Sequence, residues 1–433
     1  MRYLQWSMVI ISTLFPLLCF LPVEGMGPSF YLYLLVLLSL ICIACRFRPA
    51  GKGFLQRIVE HWPLHLAMAG MLGAVLANQL VSGHAARYEL PLQLACFPLV
   101  LWGLLFGTFQ QLKQVQWGMA ASVLLCTVAL YAETAALALR PEAVALGLRP
   151  DFVLGMPLVP FTNMTVMMGG LVLFSIGWNS RRDKLEIALK LLTGAVAVYA
   201  SYLSLTRSSW AAYPLFIIIA LLVFRTMQLR VKLAILAMTA GLFLGTYLIS
   251  DTVKTRIRLA QTDIELFVNA KEKNTSLGQR FQLWQASWEV FKEHPVVGTG
   301  REHYRAAAQE LAKRQIITPL AASQPHMHSD LLFHMATLGL FGLAAILSLY
   351  LVPAYYFFKE IHHSDRETRT IAGMGGTLAL GFFVFGLGDT MFYWRVSYVF
   401  YTVLLAILFA GMVRRKESLA AANGGSVSIA QAA

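Results

Sequence analysis

The sequence predicts an all-α polytopic membrane protein with about twelve transmembrane helices and one large helical loop on the external face. Three observations carry that expectation. Of 433 residues, 58% are hydrophobic and 13% charged, which leaves too much apolar surface for a water-soluble fold of this length. Apolar runs of about 18 residues or more recur along the chain, each the length of a helical crossing. The alternating segments of about ten residues that mark a transmembrane barrel are absent. Helices satisfy their own backbone groups, as the bilayer interior requires.

Spans fall near 5–23, 29–45, 63–82, 91–110, 115–137, 161–178, 185–205, 209–225, 232–250, 330–357, 370–390 and 396–412. The first has the basic start and apolar core of a signal peptide. It lacks a small-x-small cleavage site and is kept as a span. The order is then helices 1–9 over 1–250, an external helical loop over 251–329, helices 10–12 over 330–412 and a disordered tail over 413–433. All five cysteines lie in or beside apolar segments and none in the large loop, so no disulfide framework is expected. Cys42 and Cys45 form a C-x-x-C read as packing.

The net charge is +13, an excess that in such a chain speaks of topology, not of nucleic acid. Alternate loops at 46–57, 110–113, 179–184, 225–232 and 359–369, with the tail from Arg414, are rich in Lys and Arg. They share one side, which the bias makes cytoplasmic, with both termini inside. The opposite side receives the loops near 83–90 and 138–161, the turns at 206–208 and 391–397, and the long segment 251–329. Within that segment Leu277, Phe281, Trp284, Trp288 and Phe291 recur at helical spacing, a helix with an aromatic face. Pro295, Gly298 and Gly300 end it, and a second helix follows over about 302–314.

The external side also holds the residues suited to chemistry. His326, His328 and Asp330 read H-x-H-x-D. A metal site is one reading, but zinc needs further ligands that the spacing does not supply. A plain helix start is another, with Ser329 as N-cap, and His334 as a packed polar residue. Arg207, in LTRSSW, is either a snorkelling arginine or an anion-binding one. Arg280 opens the aromatic helix, and the G-x-G at Gly298–Gly300 is weak alone. Arginines bind phosphate bidentately, and a histidine accepts a proton near neutral pH. Together, beside lipid, they suit glycosyl transfer from a polyprenyl pyrophosphate.

The order LTRSSW, GQRFQLW with HPVVGTGREHY, then HSDLLFHMATLGLFG resembles the O-antigen ligase and polymerase superfamily of bacterial membrane glycosyltransferases. The closer likeness is to the ligases, in which a His with Asn, Ser or Gln after it precedes a fixed spacer and Gly-x-x-Gly. Here His328–Ser329 precedes Gly339 and Gly342. The resemblance implies transfer of O-antigen glycan from undecaprenyl pyrophosphate to lipid A–core at the periplasmic face of the inner membrane, with no ATP, metal or cofactor. It carries the catalytic role to His328 and pyrophosphate binding to Arg207 and Arg280. His326, Arg301, His303, Tyr304 and Asp389 are further candidates, and Asp389 could instead pair with Arg395. A polysaccharide polymerase is the nearest alternative. A secondary transporter is the alternative of another class, with Glu133 and Lys190 as charges within spans.

Overall fold

The computed structural model describes residues 2–21, 27–49, 52–83, 86–140, 148–180, 182–224, 228–269 and 272–431. Parts of the loops expected at 46–57, 83–90, 138–161, 179–184 and 225–232 lie outside the described residues. Among the described residues the protein is all-helical, apart from a two-stranded hairpin pairing Phe152–Val153 with Met156–Pro157. The helices are α1 (Arg2–Leu18), α2 (Ser29–Ala44), α3 (Phe54–Glu60), α4 (Trp62–Ser82), α5 (Glu89–Ala95), α6 (Phe97–Leu104), α7 (Phe109–Leu112), α8 (Val115–Ala138) and α9 (Leu158–Phe174). After them come α10 (Lys184–Ser204), α11 (Arg207–Val223), α12 (Leu229–Ile249), α13 (Asp251–Val268), α14 (Ser276–Glu293), α15 (Tyr304–Lys313), α16 (Pro319–Ala322), α17 (Asp330–Phe358), α18 (Arg366–Gly388) and α19 (Arg395–Gln431).

Among the described residues, seven helical stretches are long and apolar enough to cross a membrane, and α1, α2, Glu89–Leu104 and α11 are shorter apolar helices. The chain is a multi-pass membrane protein. Some expected spans are interrupted for local reasons. The run at 91–110 divides at Cys96, where Pro98 enters the first turn of α6 and has no N–H for a continuous helix. Pro16 lies inside α1 and Pro214 inside α11.

The chain forms two compact units. The first comprises 1–72, 88–223 and 348–433, and the second 73–87 and 224–347. In the first unit α19 is the central helix. From Tyr398 to Met412 its side chains are buried on every side, as expected where a helix is apolar all round. Phe400 stacks on Phe382 with centroids 6.0 Å apart and meets Phe20 edge-on, while Phe409 meets Phe357 edge-on. The helix runs on to Gln431, through nearly all of the tail read as disordered. Ion pairs hold its first turn past the apolar part. Arg415 takes Asp365 and Glu367 at 2.7 and 3.0 Å, Lys416 pairs with Glu360, and Glu417 pairs with Arg57.

Those pairs belong to a larger cluster. Lys113 lies 3.5 Å from Glu367, the Trp178 indole donates to the Glu367 carbonyl and Arg366 donates to the Ile176 carbonyl. Arg57, Lys113, Trp178, Glu360, Asp365, Glu367 and the start of the tail thus gather at one end of this unit. At the other end Arg395 pairs with Glu89 at 2.8 Å. Lys190 sits inside α10, yet it bonds the Ser175 carbonyl, Asn179 and Glu186. It serves as a tie between α10 and the turn before it. Glu133 is exposed on α8.

In the second unit, α14 and α15 match the two helices expected in the long loop, and α13 precedes them. Thr275 caps α14 by accepting from the Gly278 amide. The aromatic residues do not form its buried face. Gly278, Leu283, Ala286, Ser287 and Val290 do, while Trp288 is exposed. Small side chains let the backbone of α14 approach its neighbours closely, and the rings flank that seam, Phe281 resting on Phe267.

Asp365 offers a test of the charged end. Burial raises its carboxyl, but bonds from Arg415 and Thr368 outweigh burial and hold it at about 2. A carboxyl depressed on folding stabilises above its unfolded value and loses that contribution as pH falls through the folded one. Asp365→Asn should lower the stability of detergent-solubilised protein at pH 7 by about 1 kcal/mol, the scale of a partly exposed pair. Thermal melts should show the gap to the native protein closing as pH drops from about 4 toward 2.

Candidate active site

The first unit carries Arg207 and Asp389. Leu205 closes α10 in the left-handed conformation, φ +53°, and α11 begins two residues later with Arg207 exposed at its first turn. The turn is pinned from below by Asn163, a fully buried side chain of α9. Its Oδ1 accepts from Ser208 at 3.1 Å and Ser209 at 2.7 Å, and its Nδ2 points to Met391 Sδ at 3.4 Å. Met391 lies two residues after Asp389, which is buried and extended at the end of α18. Asn163 thus ties the segment bearing Arg207 to the segment bearing Asp389. The turn is braced again by Trp210 Nε1, which donates to the Ser201 carbonyl.

The second unit carries the other candidates. His326 is buried and His328 half-buried, with ring centroids 4.6 Å apart in an edge-to-face arrangement. Met327 between them is fully buried and anchors this irregular segment. His328 has φ +51°, a conformation that is uncommon for a non-glycine residue and that concentrates at functional sites. α17 starts at Asp330, with Ser329 immediately before it as expected. His334 is buried one turn on, its Nδ1 2.8 Å from the Asp330 carbonyl oxygen, in the packed role its position suggests.

α17 is not continuous. Gly339 adopts φ +64° and ψ −150°, a region open essentially to glycine alone. An unbroken helix would bond the Leu340 and Phe341 amides to the Ala336 and Thr337 carbonyls. Here the loop after α14 takes both sides. Leu340 N donates to Pro295 O at 2.8 Å and Phe341 N to Val296 O at 3.4 Å. Thr299 N donates to Ala336 O at 3.2 Å and Gly300 N to Thr337 O at 2.8 Å. Two helix bonds are replaced by four bonds to the loop.

The close approach explains the glycines. A Cβ on Gly339 would lie 2.3 Å from the Val296 carbonyl oxygen, and one on Gly298 would lie 2.3 Å from the Leu338 nitrogen. Gly342 faces the His334 carbonyl oxygen, where a Cβ would also come within 2.3 Å. The G-x-G and the G-x-x-G are two halves of one joint. Below the joint, Leu340–Phe358 makes an apolar helix about 28 Å long at 1.5 Å per residue, the thickness of a bilayer core.

The joint places the remaining candidates. Arg301 follows the loop and lies over the Phe333 ring at 5.7 Å. His303, half-buried, precedes α15. Tyr304 is 2% exposed, and burial pushes its phenol up, so it is a packed, protonated residue. Arg280 sits half-buried in the first turns of α14. Its neighbour Gln279 accepts from Gln324 Nε2 at 3.0 Å, which ties the arginine's helix to the chain two residues before His326. Asn78, near the end of α4, donates to the Val297 and Gly298 carbonyls at 2.8 and 3.1 Å. Sequence reasoning passed over Asn78 and Asn163. Their one signal was an amide inside an apolar run.

Residues 191–347 match the family model for O-antigen ligase. The likeness to the O-antigen ligase superfamily is carried by that stretch. It contains Arg207, Arg280, both histidines and the glycine joint, while Asn78, Asn163 and Asp389 lie outside it. An uncharacterized protein of Haemophilus influenzae is 27% identical over 184 residues, a stretch covering 42% of this chain and 46% of that protein. The match therefore spans under half of that relative's length. Within the matched stretch the spacing from His328 to Gly339 has a physical meaning: the histidines stand at the head of a helical piece whose foot is the joint.

Gly339→Ala should destabilise the protein by about 3 kcal/mol or more, from backbone strain and overpacking together. Gly73→Ala, where a Cβ meets nothing within 4 Å, should be close to neutral. Thermal melts of the two variants in one detergent would check the contrast.

Proposed function

We propose that the protein is an O-antigen ligase that moves O-antigen polysaccharide from undecaprenyl pyrophosphate to lipid A–core at the periplasmic face of the bacterial inner membrane. The observation that carries the proposal is the left-handed His328, paired with His326, at the head of a helix broken and restitched within the matched segment. In this reading both termini are cytoplasmic, and the cluster of basic loops marks the inner side. The count of about twelve spans and the periplasmic loop over 251–329 belong to the same proposal.

The chemistry is a single displacement at the sugar carbon bonded to pyrophosphate. His328, as a neutral imidazole, takes the proton of the acceptor hydroxyl while the oxygen forms the new glycosidic bond. The carbon–oxygen bond to pyrophosphate breaks with its electron pair, leaving undecaprenyl pyrophosphate. The Arg207 and Arg280 guanidiniums bind that anion, and most strongly as its charge grows. The configuration at the carbon inverts, through a transition state of oxocarbenium character as in glycoside chemistry. In this reading Asp389, Arg301, His303 and His326 act as supporting groups.

A polymerase would use a second lipid-linked glycan as acceptor. Purified protein given lipid-linked glycan alone should leave its length unchanged and should transfer it once lipid A–core is added. Growth of the lipid-linked chains would instead establish the polymerase. The involvement of Lys190 in a local tie weakens the case for a transporter, whose ionisable groups would line a path near the midplane.

His328→Ala should reduce transfer by about a thousandfold or more, the scale of losing a positioned general base, with donor binding within about twofold of native. Arg207→Ala and Arg280→Ala should weaken donor binding as well as turnover, each by about 1.5–3 kcal/mol for a charged hydrogen bond. Binding of a lipid pyrophosphate and turnover, measured separately, would expose a different division of labour.

A further inference from the structure

We infer that Asn78 of α4 is a positioning residue for this reaction, acting through the loop Pro295–Gly300 on both the arginine–histidine segment after it and the helix below His328. The inference rests on the proposed function for its kinetic part and on geometry for the rest.

Asn78 is 3% exposed, in the last turns of an otherwise apolar helix. A buried amide is retained there only with its hydrogen bonds made. Its Nδ2 donates to two consecutive loop carbonyls, Val297 O and Gly298 O. Those residues sit in the run whose other backbone groups bond the break in α17. The carbonyl of Pro295 and the amides of Thr299 and Gly300 are committed to that break, so α4 supplies partners that α17 does not.

The same side chain reaches the next segment. The point where a Cβ on Gly300 would stand is 3.3 Å from both Asn78 Oδ1 and His303 Nδ1. Gly300 has φ +87°, and its lack of a side chain lets the amide oxygen and the imidazole nitrogen converge over the turn. Arg301 leaves that turn next. Asn78 thus holds the turn from which Arg301 and His303 project, and the turn in turn holds Thr337, two residues above the break. A shift of the loop would tilt the helical piece that carries Ser329 and His328 at its head. Displacements of about 1 Å at reacting groups cost on the order of a hundredfold in rate.

The test uses the full chain in lipid nanodiscs with lipid-linked glycan and lipid A–core. Asn78→Asp keeps the shape and removes the donor. It should lower the kcat of the folded protein between tenfold and a hundredfold while the donor KM stays within twofold, and it should lower the melting temperature because two buried carbonyls lose their donor. Hydrogen exchange at the Thr299, Gly300 and Leu340 amides should quicken at least tenfold. Leu80→Ala, at an exposed position on the same helix, should alter neither readout. Asn78→Asp with native kcat overturns the inference. So does a parallel loss of kcat, KM and folded protein with the three amides unchanged. A native protein that transfers no glycan to lipid A–core defeats the function proposed above and leaves the exchange measurement to decide the role of Asn78 in the joint.

Discussion

Backbone hydrogen bonding at one glycine organises the second unit. A helix break inside an apolar segment strands amides and carbonyls that neither lipid nor apolar side chains can satisfy. At Gly339 the stranded groups are taken up by the loop that ends α14. The loop is fixed by the helix, and the helical piece from Asp330 to Leu338 is fixed by the loop. Arg301 and His303 on one strand, and His326 and His328 ahead of the other, inherit their positions from this exchange. Neither partner could be redesigned alone, because the glycines that permit the approach lie on both.

The first unit solves a related problem with side chains. The tight turn that opens α11 at Arg207 is held by side chains from below. Asn163 accepts from two successive serines of that turn while its other end faces the segment after Asp389. At the opposite end the ion pairs of Asp365, Glu367 and Arg415 join separate loops. Charge is scarce in this chain, and where it occurs it is mostly spent at one end or the other. Lys190 is the exception in an apolar helix, and it bonds Glu186 and the turn preceding its own helix.

Much of this architecture was legible in the residues because it rests on composition and periodicity. Apolar runs located the helices, lysines and arginines sorted the loops, and the spacing of Leu277, Phe281 and Trp284 announced α14. What stayed hidden depends on contacts between distant segments. Nothing local marks Gly339 as a break, since glycines are common in membrane helices; its meaning comes from Gly298, forty-one positions earlier. Asn78 and Asn163 read as isolated amides until their partners are in view. The aromatic stripe of α14 was legible from its spacing, but its buried face was not, because the tightest packing there uses Gly278, Ala286 and Ser287. The tail was read from its small polar residues, and the pairs made by Arg415 and Lys416 with residues some fifty positions away could not enter that reading.

The burial of α19 has a consequence for biogenesis. Chains emerge from the ribosome in order, yet the helix that fills the middle of the first unit comes after all its packing partners. Until Arg395–Met412 arrives, the earlier helices must wait in the bilayer with Phe20, Phe357 and Phe382 turned toward a vacancy. Assembly of this unit is therefore completed by insertion of a late keystone and cannot proceed by stacking one hairpin on the last. Interruption of synthesis before that point would yield membrane-inserted fragments exposed to quality-control proteolysis.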